Sequence, residues 1–317
     1  MTTPHPLQLH HPNGSLATVD DLVDLTPERA GWSFTGLRVF SLVPSVERSN
    51  DSGPFELVVL PLSAENVKVV CGGETFELHG RSSVFDRVTD FVYIPRDASF
   101  TVTSPSGGKV AVAMARCDER LTARYGPSTD VPVETRGAGP ATRQVTNFMS
   151  PATWPHASKL MCVELLTPDG NWSSYPPHRH DDSPECSVNN EEIYYFGIGR
   201  AHPAQSQPAQ SEPAGFGFHR TYTPPGPDGT VEIDQNVVVR DGDVFCVPKG
   251  YHGPCIAAPG YPMYYLNVLA GPGAERSMAF CDDPAHHWVR DSWVGMATDE
   301  RVPMTSASGR LPTQGQR

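Results

Sequence analysis

The sequence lacks any run approaching the ~18 consecutive apolar residues that a membrane span requires. Its opening residues, MTTPHPLQLHHPNGS, also lack the charged start and apolar stretch of a secretory signal. A cytoplasmic protein is the expectation. Cations are scarce: 24 Lys and Arg stand against 36 Asp and Glu, for a net charge of −12, with no basic cluster to grip phosphates. Neither nucleic acid nor a membrane is therefore expected as a partner. Paired cysteines are missing too. Positions 71, 117, 162, 186, 246, 255 and 281 are odd in number, scattered and never spaced as CxxC. This pattern suggests neither a disulfide framework nor a zinc ribbon. Reduced thiols are expected, with Cys162 and Cys246 acting as small hydrophobes inside apolar strands. No Cys–His pairing points to a catalytic thiol.

Sustained helical periodicity is absent as well, and what fills its place is punctuation. The 317 residues include 32 Pro and 28 Gly, which suits short strands and tight turns. LRVFSLV (37–43), FELVVLPL (55–62), VKVVCG (67–72), ETFELHG (74–80), DFVYIP (90–95), SFTVTS (99–104) and KVAVAMA (109–115) alternate β-branched and aromatic residues. The Pro- and Gly-bearing stretch 124–141 reads as a linker. The rhythm then resumes in MCVELLTP (161–168), EEIYYFGI (191–198), FGFHRTYT (216–223), VVVRDGDVFCVP (237–248) and MYYLNVLAG (263–271). The expected fold is all-β, with two tandem antiparallel barrels over residues 1–135 and 136–297. Residues 1–30 read as extended chain laid over a neighbour. PAQSQPAQSEPA (203–214) reads as a mobile loop, and 298–317 as a flexible tail. Exposed edge strands make a homo-oligomer an open expectation.

His178 and His180 lie two apart, a spacing that places both imidazoles on one face of a strand within reach of one metal. Downstream, DGDVFCVPKGYHGP reads as a strand, a turn stiffened by Pro248 and Gly250, and a histidine, His252, aimed by that turn. Taken with an intervening acidic residue at a strand start, this is the two-part cupin signature. Glu185 is nearest the usual spacing for the carboxylate but sits in a Pro/Asp/Ser-rich loop. Glu192 opens the strand EIYYF and shares a face with Tyr194 and Phe196, so it is preferred; Glu191 then points away. The expected metal ligands are His178, His180, Glu192 and His252. Zinc, manganese, iron and nickel all accept such a mixed N/O set, and one divalent ion, zinc or manganese, is the expected cofactor. The first half has no such histidines. VFDRVTDFVYIPRDASF (84–100) repeats the strand and turn without them, as a barrel kept for scaffold and packing.

Around the metal, Phe216, Phe218, Arg220 and Tyr222 alternate and are expected to point inward. Arg220 would then meet either a substrate carboxylate or an internal acid. Tyr265 and Asn267 share a face and can hydrogen-bond a polyhydroxylated ligand. Lys249 lies in the turn that carries His252.

SSYPPHRHD, EEIYYF, GFGFHRTYT, DGDVFCVPKGYHGPCIAAPGYPMYYLNVLAGP, DDPAHHW and, in the first half, VFDRVTDFVYIPRD resemble the 5-deoxy-glucuronate isomerase family of inositol catabolism, related to the 5-keto-4-deoxyuronate isomerases. The likeness covers roughly residues 30–295 and departs at SPECSVNN and in the 203–214 insertion. It implies a bicupin with one metal in the second barrel, a small sugar acid as ligand and an aldose–ketose isomerisation through an enediol. Arg220, Tyr265 and Asn267 are the candidates for binding substrate. Glu192, Tyr265 and Lys249 are unranked candidates for moving the proton. The rival readings are a cupin dioxygenase and a non-catalytic sugar-acid-binding bicupin.

Overall fold

The computed structural model describes residues 8–201 and 215–312. The 203–214 insertion and the last five residues of the expected tail lie outside them. No helix among the described residues is long and apolar enough to cross a membrane.

Every ladder between the described strands is antiparallel. In the first half, Thr35–Leu42, Phe55–Pro61, Phe91–Ile94 and Gly108–Arg116 form the centre of one sheet. Arg48–Asp51, Glu65–Cys71, Glu74–Gly80 and Ser99–Thr103 form the sheet that faces it. Between them lies an aliphatic and aromatic core that includes Phe40, Val59, Val69, Phe100 and Val112. The second half repeats the plan. Arg143–Met149, Met161–Thr167, Glu191–Ile198, Val244–Val247 and Met263–Ala270 belong to one sheet. It faces another containing His178–Arg179, Gly217–Tyr222, Asp234–Val239, Tyr251–Ala257 and Cys281–Asp282.

The two larger sheets pack back to back. Leu37, Val58 and Leu60 of the first barrel meet Ile193, Leu266 and Val268 of the second in one shared core. Strands of the inner sheet are thus buried on both faces, and their sequences read as continuous apolar runs. Along Glu191–Ile198 the residues Tyr194, Phe196 and Ile198 face their own barrel, while Ile193 and Tyr195 face the other.

Three carboxylates bind the halves together. Glu191 accepts from the backbone N–H groups of Ser33 (2.7 Å), Phe34 (2.8 Å) and Thr35 (2.8 Å). Glu56 accepts from those of Ser158 (2.8 Å), Lys159 (2.5 Å) and Leu160 (2.6 Å). Glu164 pairs with the buried Arg81 and also accepts from Tyr264 Oη at 2.7 Å. A charge removed from water is tolerated only with such complete pairing.

The structure changes four expectations. His10 and His11 pair with Phe245 and Val244, so this part of the expected first domain is an edge strand of the second barrel, while residues 1–7 lie outside the described residues. The chain crosses between Gly126, still paired with Phe91, and Val133, already paired with Thr146; the expected division after residue 135 is moved back accordingly. The described part of the supposed tail is fixed: Gln144 Oε1 accepts from the backbone of Met304 (2.8 Å) and Thr305 (3.0 Å), and Arg301 pairs with Asp169 at 2.9 Å. Its polar composition serves specific partners. Finally, Cys186 and Cys281, expected as thiols, form a disulfide across 95 residues. Cys281 is placed there because it pairs across the ladder with Arg179, beside the hairpin that carries Cys186. The other five cysteines are free and buried, Cys162 and Cys246 among them.

Candidate active site

His180, Glu192 and His252 bring one potential ligand atom each to within 4.8 Å of one another, and all three are buried. Glu192 sits at the start of its strand, opposite Val247 on one side and Leu269 on the other. Beyond Val247 the chain turns through Pro248 and Gly250, where Gly250 takes φ +86 with Tyr222 O only 2.6 Å from where a Cβ would be. A side chain there would clash, so glycine is required. The turn is also tied from outside. Asp181, forked by Arg179, accepts from Gly250 N at 2.7 Å. His252 then enters the barrel fully buried.

Nδ1 of His180 lies 3.0 Å from Asn190 O, which directs Nε2 at Glu192 Oε2, also 3.0 Å away. A carbonyl on one ring nitrogen orients the other as a ligand. His252 Nε2 is 3.0 Å from the same carboxylate oxygen, yet neither of its ring nitrogens has a hydrogen-bond partner. A buried imidazole without partners among the described residues is costly in a closed protein, and a divalent ion would satisfy one of its nitrogens. His178 stands beside the trio. It pairs across the strands with His252, with ring centroids 4.4 Å apart, and lies 6.4 Å from His180. Its Nδ1 is 3.3 Å from Pro176 O.

The electrostatics follow from this packing. Burial alone would raise the Glu192 carboxyl, but His252 and His180 outweigh it and hold it below the usual carboxylate range. Burial also lowers His180, where the hydrogen bond and charge of Glu192 reverse the sign and leave it raised. Burial and then His252 push His178 well below its ordinary value. Two imidazoles and one carboxylate, His180, His252 and Glu192, come together on rigid strands as a donor set suited to a borderline divalent ion, with His178 beside them.

The cluster opens into a cavity of about 590 Å³ whose lining includes Tyr194, Tyr265, Asn267, Arg143 and Phe280. Tyr265 and Asn267 share the Glu192 face through the register Tyr265–Phe196 and Asn267–Tyr194. Tyr265 Oη and Asn267 Nδ2 are buried without partners among the described residues, which leaves both available to a ligand.

Two expected site residues lie elsewhere. Arg220 is on the outward face of Gly217–Tyr222, with its side chain 41% exposed and 3.7 Å from Asp234. The inward residues are Gly217, His219 and Thr221. Gly217 fits that inward face only as glycine, since a Cβ there would meet Met263 Cε at 1.9 Å and Ile256 O at 2.6 Å. Phe216 and Phe218 pack on each other edge to face, and Phe218 is exposed; Tyr222 donates to Asp283. Lys249 is exposed and holds Glu232 at 2.6 Å, outside the cavity lining. Glu185 is also exposed, 3.3 Å from Arg179.

Arg143 and His219 had not been anticipated. His219 is a neutral interior histidine, pulled down to about 3 by burial and then His252, and partnered by Thr221 Oγ1 at 3.0 Å. Arg143 opens the strand RQVTNFM, whose alternation of Arg143 and Val145 with Gln144 and Thr146 was the available signal.

The model of the KduI/IolB family matches residues 9–289. A 5-deoxy-glucuronate isomerase of Geobacillus kaustophilus is 37% identical over 295 residues, covering 92% of this chain and 97% of its own. That of Bacillus subtilis strain 168 is 34% identical over 270 residues, covering 84% and 91%. An IolB-like protein of Salmonella typhimurium superposes with a TM-score of 0.75 at 30% identity, covering 89% of this chain and 99% of that one. The oxalate decarboxylase of Lactobacillus farciminis shares the fold at 10% identity, with a TM-score of 0.56 and coverage of 84% and 87%.

Proposed function

The chain belongs to the KduI/IolB family, and from that premise we propose that it is a metal-dependent aldose–ketose isomerase. Its reaction is the conversion of 5-deoxy-D-glucuronate to 5-dehydro-2-deoxy-D-gluconate in myo-inositol catabolism. The observation that carries this reading is the buried His180, Glu192 and His252 cluster, of which His180 and Glu192 line a cavity together with the neighbouring His178, in a chain so similar to named isomerases.

His178, His180, Glu192 and His252 would hold one divalent ion, zinc or manganese. When bound, that ion supplies Lewis acidity toward neighbouring carbonyl and hydroxyl oxygens without redox change. The remaining work falls to the protein. Asn190 and Pro176 carbonyls orient the imidazoles. Asn267 and Tyr265 offer unpartnered polar atoms to sugar hydroxyls. Burial raises the Tyr265 phenol well above its ordinary value, so it stays protonated and can donate. A proton must pass between adjacent carbons, and a group within hydrogen-bond reach has to carry it. We assign that role to Glu192 or Tyr265, and remove Lys249 from it because its ammonium is engaged outside the cavity.

The test is incubation of purified, metal-loaded protein with 5-deoxy-D-glucuronate in deuterated water, followed by NMR. Formation of the ketose acid, equally under air and under nitrogen, is expected. No turnover, or turnover that consumes oxygen, would overturn the reading.

A further inference from the structure

The chain carries a net charge of −12, yet four arginines line the cavity, Arg136, Arg143, Arg276 and Arg290, against one carboxylate, Glu192. Two of the four are paired with acids. Arg136 forks onto Glu134 at 3.0 and 2.7 Å, and Arg290 onto Asp282 at 2.5 and 2.7 Å. Arg276 has no acid either, but it is part-exposed and donates to the carbonyls of Leu160 (3.1 Å) and Trp154 (2.5 Å).

Arg143 differs. It is 4% exposed, and its hydrogen-bond partners among the described residues are two backbone carbonyls, Ala141 O at 3.1 Å and Tyr175 O at 3.3 Å. Its Nε has none. Directly across the ladder stands Arg136, and like charges opposed in a sheet repel. A desolvated cation without a counter-ion is strongly disfavoured. Burial above all, together with Arg136 and Arg290, pulls Arg143 down to about 10, which still leaves it charged at neutral pH.

The place of this charge in the barrel is equally specific. Val145, Leu165 and Tyr265 form one row across three strands. Arg143 precedes Val145 by two residues, on the same face. Tyr175, whose carbonyl holds Nη2, also lines the cavity. It precedes His178 by three residues, a backbone reach of at most about 10 Å. An anion on Arg143 and oxygens at the histidine cluster are therefore within the compass of one small, extended molecule.

We infer that Arg143, backed by Arg136, is the carboxylate receptor of this cavity, holding the carboxylate end of a six-carbon sugar acid while its carbonyl end lies at the His178, His180, Glu192 and His252 cluster. The inference rests on the isomerase reading for its substrate, and it gives Arg143 the role that sequence pattern had assigned to Arg220. The guanidinium fork suits a carboxylate in a way an ammonium does not.

The test compares 5-deoxy-D-glucuronate with the neutral aldose that carries a hydroxymethyl group in place of the carboxylate, using the unaltered protein, Arg143→Lys and Arg143→Gln at equal measured metal content. Arg143→Gln is expected to raise KM for the acid by about 10- to 100-fold, the worth of a charge-assisted pair. The neutral aldose should change little, and Arg143→Lys should fall between. Should Arg143→Gln fail to fold, the lysine variant and inhibition of the unaltered protein by glucuronate against glucose decide the matter; equal inhibition, or an undiminished acid preference in the lysine variant, overturns the proposal. If the unaltered protein isomerises the acid but both variants keep its full preference, the receptor assignment fails and the isomerase reading stands. If the unaltered protein turns over neither compound yet binds glucuronate in a manner weakened in Arg143→Lys and lost in Arg143→Gln, the anion site stands and the isomerase reading fails.

Discussion

The two barrels share their architecture and differ in what fills them. In the first, the inward positions are Phe40, Val59, Val69, Phe100 and Val112. In the second, Glu192, Tyr265, Asn267 and Arg143 occupy the inward face of an equivalent sheet, with His180 and His252 facing them. Even the turns correspond. Pro95 leads to Asp97 at φ 54, and Pro248 leads to Gly250 at φ 86. Beyond the turn, the first barrel buries Phe100 and the second buries His252. The same scaffold can thus be closed by apolar packing, which stabilises it, or opened by polar side chains, which cost stability unless ligands satisfy them. The shared core lets the closed barrel support the open one.

The largest effect should come from the open barrel. His252→Ala or Glu192→Ala is expected to leave a folded protein that loses metal together with at least about 10³-fold in turnover, more than the 10- to 100-fold typical of removing an outer partner of a ligand. Metal analysis beside the NMR assay checks it, and retained activity in metal-free protein would break the comparison. Metal affinity should also weaken as pH falls. Without metal, Glu192 keeps His180 raised against the effect of burial, so an incoming ion must displace a proton from it. Competition titrations from pH 8 down to pH 5 would show this.

The closed barrel should respond in the opposite manner. Phe100→Ala removes a large buried side chain and should destabilise the protein by about 3–5 kcal/mol. Denaturant unfolding should show that loss while metal affinity at low temperature stays put. A smaller effect is expected at the seam: Glu191→Gln weakens a carboxylate that accepts three backbone N–H groups, at a cost of about 1–3 kcal/mol. Its neighbour Glu192 would lose chemistry instead, so the adjacent pair separates cohesion from catalysis. Smallest of all, Lys249→Ala should alter turnover by less than about twofold, since an exposed ion pair contributes little. A large loss would return Lys249 to the site.

How much of this could be read beforehand depended on where each residue's neighbours lie. Glu74–Gly80 and Glu191–Ile198 were legible to the residue because alternation and turn residues bounded them. Tyr251–Ala257 was not, because Gly253 and Pro254 interrupt its pattern. VVVRDGDVFCVP looked like one strand, although Asp241 and Gly242 split it into Asp234–Val239 and Val244–Val247. Glu192 could be preferred over Glu185 because a strand start holds a side chain rigidly. Arg143 could not be found by that route, since nothing local says that an arginine lacks an acid.

From the chain alone came an all-β pair of barrels, imidazoles and a carboxylate at ligand spacing, and the half that carries them, because alternation and turn chemistry are local properties. The tertiary structure alone decided which face of Gly217–Tyr222 looks inward, with Gly217, His219 and Thr221 buried there. It also paired Cys186 with Cys281 and left Arg143 as a buried arginine of the cavity without an acid among the described residues. Each of these depends on atoms distant in sequence, and burial, pairing and repulsion are defined only once those atoms meet.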